Sequence, residues 1–153
     1  MANEFLQTEV KKIAEDGRWT FPLNTAMVCA YLMAHYKGEN LKIFDMSKGS
    51  SLCDFHVIAT AHNTMQASSM IDEIARQLRD LGTEVRSIEG RDSVDWTLLD
   101  TGDVIVHVFQ ENSRDLYDLD TVFAGNPAIQ IPEEFYFSGP VKASAEETLK
   151  GFF

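Results

Sequence analysis

The sequence predicts an α/β sandwich, a single domain in which a mixed β-sheet of about five strands is flanked by helices. Two observations carry the sheet. Trp96 to Asp100 and Val104 to Phe109 are β-rich runs joined by Asp100-Thr101-Gly102-Asp103, where Gly102 can supply the positive φ of a hairpin turn. The second run is apolar on both faces, with Val104, Val106 and Val108 pointing one way and Ile105, His107 and Phe109 the other, which places it inside a covered sheet. A third observation carries the helical layer. Ala67, Ile71, Ile74, Leu78 and Leu81 form one apolar stripe at helical spacing, opened by an Asn63/Gln66 pair that resembles a capping box and ended by Gly82.

In chain order, residues 1–24 show no clear period and end in Gly17-Arg18-Trp19-Thr20-Phe21-Pro22, so a poorly anchored extension with a turn is expected. The domain proper is expected over 25–125. Asn24 or Thr25 can cap a first helix in which Val28, Leu32 and Tyr36 recur before Gly38 stops it. Leu41 to Met46 and Asp54 to Ala61 read as strands, separated by the turn formers Ser47-Lys48-Gly49-Ser50-Ser51. The striped helix follows, with Asp72 and Arg76 placed for an i,i+4 ion pair. Glu84 to Ile88 is a weaker strand, after which the acidic loop Glu89-Gly90-Arg91-Asp92-Ser93-Val94-Asp95 delivers Trp96 to the hairpin. Asn112 or Ser113 then starts a helix through Leu116, Leu119 and Phe123, closed by Gly125-Asn126-Pro127. Residues 126–153 are expected to form a C-terminal extension, with Phe135-Tyr136-Phe137 between Pro132 and Pro140 and a short helix from Ser144 to Lys150. Its aromatics have three places to go: along the domain, onto a second copy, or into solvent.

Composition narrows the function classes. A net charge of −11 disfavours direct nucleic-acid binding, which depends on Lys and Arg neutralising phosphates. An acidic surface suits a basic protein partner instead, although charge also serves solubility alone. No apolar run approaches the roughly 20 residues of a membrane span, and the N-terminus lacks the layout of a secretory signal. Cys29 and Cys53 lie far apart without zinc-ligand spacing, which fits a reduced, cytoplasmic setting and neither a disulfide nor a structural metal.

Chemistry is weakly signposted. The order of elements resembles the nucleotidyltransferase-like fold, in which a Gly-Ser pair holds phosphates and an Asp-x-Asp pair holds metal ions. Gly49-Ser50 and Asp54 invite that reading, but His56 stands where the second carboxylate of the catalytic pair is needed. His35, His56, His62 and His107 show no HExxH or other close pairing. His107 can be a satisfied core histidine, a general base or a polar anchor in an interface, and no nucleophile accompanies it. Trp96 reads equally as a lid on the sheet edge or as a binding hot spot. Glu89, Asp92, Asp95 and Asp100 surround it in sequence, either as a solvated loop or as the acidic rim of an interface with a basic partner.

The segments Leu52-Cys53-Asp54-Phe55-His56-Val57-Ile58-Ala59-Thr60-Ala61 and Gly102-Asp103-Val104-Ile105-Val106-His107-Val108-Phe109, with Arg114 and Leu116-Tyr117-Asp118-Leu119, closely resemble the ribosomal silencing factor family, also called Iojap or RsfS. The resemblance runs from about Thr25 to about Phe123. It implies a non-enzymatic translation repressor without cofactor or metal. Such a protein binds ribosomal protein number fourteen of the large subunit and blocks small-subunit joining when nutrients are short. Family members can also form homodimers. On this resemblance Trp96, Asp100 and His107 are the leading partner contacts, with Glu89 as rim support. The chain departs from the family pattern at Lys48-Gly49, His56, Ala61 and Phe123, which puts in doubt any ligand role for the Ser47–Ser51 loop.

Overall fold

The computed structural model describes residues 2–49 and 52–137. The short helix expected over 144–150 lies outside them, as do Ser50 and Ser51. Helices α1 (Ala2–Ala14) and α2 (Leu23–His35) lead into strands β1 (Glu39–Asp45) and β2 (Phe55–Ala61). Helix α3 (Thr64–Asp80), strands β3 (Ser87–Glu89), β4 (Trp96–Asp100) and β5 (Val104–Gln110), and helices α4 (Glu111–Tyr117) and α5 (Leu119–Val122) follow. A two-residue strand β6 (Ala128–Ile129) and a 3₁₀ turn at Glu133–Phe137 complete the described chain.

The expected mixed sheet has six strands, ordered β3-β4-β5-β2-β1-β6. Its extra member is β6, which pairs only with Ile43 and Phe44 and is too short for alternation to reveal. The centre is the parallel β2–β5 pair, and every other ladder is antiparallel. Both central strands are apolar on two faces, as parallel strands must be when layers lie above and below. The expected hairpin connects β4 and β5, with Gly102 at φ +93°. Its amide donates to Asp100 Oδ1 at 2.7 Å.

One sheet face carries Ile43, Val57, Ala59, Leu99, Val106 and Val108 into the main core beneath α2 and α3. Helix α2 is buried on nearly every side, with its residues from Thr25 to Ala34 enclosed. Such a helix needs a layer outside it as well as the sheet inside. Part of that layer is α1. The expected loose extension is therefore corrected: Leu6, Val10 and Ile13 recur at helical spacing and are buried in the main core. The other part is the C-terminal segment, whose Phe135 is buried edge-on to Trp19, at 5.9 Å, and to Tyr31, at 5.6 Å. Of the tail aromatics, Phe135 thus lies along the domain, while Tyr136 and Phe137 keep exposed surface.

Local expectations fare unevenly. Asn63 Oδ1 accepts from the Gln66 amide at 2.8 Å and caps α3. Asn24 does not cap α2 in this way. Its side-chain amide donates to the Ala14 carbonyl at 3.0 Å and fastens the end of α1 to the start of α2. Arg76 pairs with Glu73 instead of Asp72, and Asp72 pairs with Arg91, because Glu73 is a buried acid that already takes bonds from Tyr36 and Gln77. The helix expected after the hairpin is broken in two by Asp118, left-handed at φ 48°, and this turns Leu116 out to solvent.

Phe135→Ala is expected to lower unfolding free energy by about 3 kcal/mol, the usual cost of emptying a buried aromatic site. Urea unfolding followed by circular dichroism checks it. A change under about 0.5 kcal/mol would show that this segment does not hold α2 in place.

Candidate protein interface

Among the described residues, no long helix lies over the second sheet face. Register places Ser87 and Glu89 of β3, Trp96, Leu98 and Asp100 of β4, and Ile105, His107 and Phe109 of β5 on this side with His56, Ile58 and Thr60 of β2. A small second core of Phe44, Ile58 and Phe109 sits here, flanked by Trp96, Leu119 and Phe123. Helices α4 and α5 close it near β2. Arg114 of α4 is only 4% exposed, gives two hydrogen bonds to Asp120 at 2.8 and 3.0 Å, and donates to Thr60 Oγ1 at 2.9 Å. Lys42 of β1 reaches the same carboxylate at 3.0 Å. Arg114, followed by Lys42, holds the Asp120 carboxyl down at about 2.

Trp96 is half-buried at the edge of this core. Its ring stacks on Phe109 at 4.9 Å and leans on Tyr117 of α4 at 5.0 Å. Gly90 sets the approach of the preceding loop. It adopts φ +75°, and a Cβ there would lie 2.3 Å from the Trp96 carbonyl oxygen, so only glycine fits.

Beneath the indole runs a buried chain of polar groups. Trp96 Nε1–H donates to His107 Nδ1 at 3.1 Å. An indole nitrogen can only donate, so the neutral His107 ring carries its proton on Nε2. That nitrogen lies 2.9 Å from His56 Nδ1 and donates to it. His56 in turn holds its proton on Nε2, 3.4 Å from Cys53 Sγ, and the thiol lies 3.4 Å from the Phe55 carbonyl that accepts from it. His56 also stacks on Phe123 at 4.2 Å. Burial pushes the His56 pKa down to about 4. Burial first, then the neighbouring His56 and Arg114, pushes His107 to about 3. Both rings are therefore neutral near pH 7.

The sequence-derived contact residues separate on this geometry. Trp96 keeps exposed ring surface, Glu89 is exposed, and Asp100 is half-buried with one carboxylate oxygen engaged by Gly102. His107 is corrected: at 3% exposure it is a core histidine, because the Trp96 indole and the His56 ring pack against it, and it reaches the surface only through Trp96. Leu98 and Ile105, both half-exposed between Trp96 and Asp100, were missed. Strict alternation from Trp96 along β4 and from His107 along β5 was the signal that contained them. Asp92 and Asp95 are exposed in the loop that leads into Trp96, where Arg91 is paired with Asp72, and Arg86 leans over Gly102 at the far end, so the acids lie toward Trp96 and the turn end is mixed.

No carboxylate cluster surrounds Asp54 among the described residues. The one grouping there with metal-ligand potential is Glu39, His62 and Glu111, exposed at the opposite end of β2. Its atoms already satisfy one another, with His62 Nδ1 2.5 Å from Glu111 and Nε2 2.9 Å from Glu39. Hydrogen bonding to Glu111, then the charge of Glu39, raises the His62 pKa. No helix among the described residues is long and apolar enough to cross a membrane.

These features define a class: a small mixed-sheet α/β protein with one face packed by helices and the other presenting an aromatic, acid-edged strip. Comparison with known proteins specifies it further. The family model for the ribosomal silencing factor during starvation, RsfS, matches residues 22–150, and the chain belongs to that family. The match extends through the C-terminal segment, beyond the span from about Thr25 to about Phe123 that carries the quoted motifs. The chain is 33% identical to the ribosomal silencing factor RsfS of Haemophilus influenzae over 88 residues, covering 58% of this chain and 86% of that protein. It is 32% identical to the Bacillus subtilis RsfS over 95 residues, covering 62% and 80%. A crystal structure of a Chromobacterium violaceum protein superposes with TM-score 0.66 at 26% identity, covering 78% of this chain and all of that one.

The buried histidines make stability depend on pH with a definite sign. Their folded pKa values lie below the unfolded value near 6.5, so the unfolded chain binds protons first as pH falls. Stability from the pair is whole above about pH 6.5 and is lost between there and about pH 3, with the His56 part, on the order of 3 kcal/mol, gone by about pH 4. His62 has the opposite sign, its contribution being present below its unfolded value and lost as pH rises, and it is solvent-exposed. Asp120 acts only below about pH 4. Urea titrations at pH 7.5, 5.5 and 4.5 should show a progressive fall, and a flat profile would mean that the two rings are not neutral and buried.

Proposed function

We propose that this chain is a cytoplasmic, non-catalytic repressor that binds the large ribosomal subunit through ribosomal protein number fourteen. In this reading it sterically blocks joining of the small subunit and so lowers translation when nutrients are short. The observation that carries this reading is the open strip of Trp96, Leu98 and Ile105, edged by Glu89, Asp92, Asp95 and Asp100. An aromatic anchor with half-exposed aliphatics inside a polar rim is the anatomy of a protein interface. Negative charge around it suits a basic partner, whose approach it accelerates. The printed names of the relatives, ribosomal silencing factors, support the ribosome as the place of action. No covalent step is needed, because a rigid body occupying a joining surface excludes its neighbour by volume alone. Homodimer formation belongs to the same reading.

In a sucrose gradient the purified protein is expected to comigrate with isolated large subunits and to reduce their joining with small subunits. Trp96→Ala should weaken binding by about 2 kcal/mol, roughly thirtyfold, with the fold retained. Comigration unchanged by that substitution would remove Trp96 from the interface, and absence of comigration by the wild-type chain would overturn the ribosomal reading.

A further inference from the structure

The Trp96 indole has one polar atom, and that atom is turned inward. Its Nε1–H donates to His107 Nδ1 at 3.1 Å, beneath a ring that keeps part of its carbon surface exposed. A tryptophan at a surface normally has this donor available to an incoming acceptor. Here the donor is already satisfied.

The acceptor is held from behind. His107 is 3% exposed and cannot bond through Nδ1 and also swing freely, because Nε2 is tied to His56 at 2.9 Å. His56 is fixed by its 4.2 Å stack on Phe123 and by Cys53 at 3.4 Å. Each group in the chain donates to the next in one direction, so the orientation of the first ring is set by the last. Phe109 and Tyr117 restrict the indole plane, at 4.9 and 5.0 Å, but stacking alone permits a half-turn about χ2 that keeps the plane and exchanges the edges of the ring. The hydrogen bond removes that freedom.

We propose that His107 and His56 are positioning residues for the interface: through the indole N–H they fix the Trp96 ring before binding, so that it meets its partner by its carbon face and edge and offers it no hydrogen bond. The partner chemistry follows. The group seated on this ring is an aliphatic stem or a cation, which the acidic residues around it also favour, and not a backbone carbonyl or a carboxylate. The proposal rests on the assignment of Trp96 to the ribosomal interface. Pre-orientation lowers the ordering cost at the moment of association, so its loss is read in affinity.

Two substitutions at one position separate positioning from mere packing. His107→Phe keeps the ring volume and removes the acceptor. His107→Asn leaves a small cavity and keeps an acceptor oxygen close to where Nδ1 stood. Indole ¹H–¹⁵N resonances of the two tryptophans are followed by solvent-exchange NMR, with Trp19, on the far side of the helical layer, as internal reference. Trp96→Ala assigns the second resonance.

His107→Phe is expected to speed exchange of the Trp96 indole proton by more than about tenfold and to weaken large-subunit binding by about tenfold, the value of one hydrogen bond. His107→Asn should keep both within about threefold despite a lower melting temperature. Should His107→Phe fail to fold, His56→Phe removes the next link while retaining the stack on Phe123, and the same two readings apply. Affinity that follows melting temperature instead of the acceptor, with Asn the weaker binder, overturns the proposal. So does an exchange rate unchanged in the phenylalanine variants. Exchange is measured without ribosomes, so failure of the wild-type chain to bind large subunits would sink the ribosomal reading while the exchange rates still decide whether the histidines hold the ring.

Discussion

A six-stranded sheet has two faces, and the described residues supply long helices for only one of them. The remaining structure answers that constraint. Over β2 and β5 the second face cannot be left to water, since Ile58 and Phe109 are large and apolar, so a thin layer of aromatics and two short helices closes it. Over β4 and the outer half of the hairpin the described residues place no layer, and Leu98, Asp100 and Ile105 remain half-exposed. The boundary between covered and open sheet passes through Trp96. That residue belongs to both regions, packed against the small core and only partly buried.

A thin layer has little apolar area to contribute, and this one buries polar groups as well. Arg114, His107, His56 and Thr60 are all enclosed. An unpaired buried charge or imidazole would cost several kcal/mol, so each must have its partners complete. Asp120 meets this need for Arg114 with a bidentate bond, and Trp96, His56 and Cys53 meet it for the histidine pair. Such networks add geometric definition more than net stability. The consequence for function is rigidity at the edge of the open strip. Arg114 anchors α4, α4 carries Tyr117, and Tyr117 with His107 sets the indole.

If the chain works by occupying space, as proposed, a defined surface is what it needs, and the charge pattern of that surface governs encounter. Exposed acids crowd the Trp96 end of the strip, whereas Arg86 lies at the hairpin turn. The gradient gives the strip a direction. A basic partner would be drawn toward the aromatic end, with attraction that salt weakens and that adds more to rate than to final affinity. Helix α1 and the segment around Phe135 stand behind α2, on the far side of the sheet from the strip. They stiffen the scaffold without touching the strip.

Local pattern was enough to read the architecture, the hairpin, the Asn63 cap and the aromatic anchor, because each depends on residues a few positions apart. Period-two alternation in β5 and the stripe of α3 could mean little else. Helix α1 was equally local in Leu6, Val10 and Ile13, but its signal was short and lay in a segment judged by its turn residues. The site divides differently. Glu89, Trp96 and Asp100 could be named from the loop and strand that carry them, whereas the place of His107 turned on a partner 51 residues away and on which sheet face lacked a helix. Arg114 likewise finds Thr60 across 54 residues. The sequence by itself determined which residues alternate, turn and cap, since steric and hydrogen-bonding preferences act over neighbours. Only the tertiary structure decided which face was left open and which polar groups were closed in, since burial is a property of what packs above a residue and not of the residue itself.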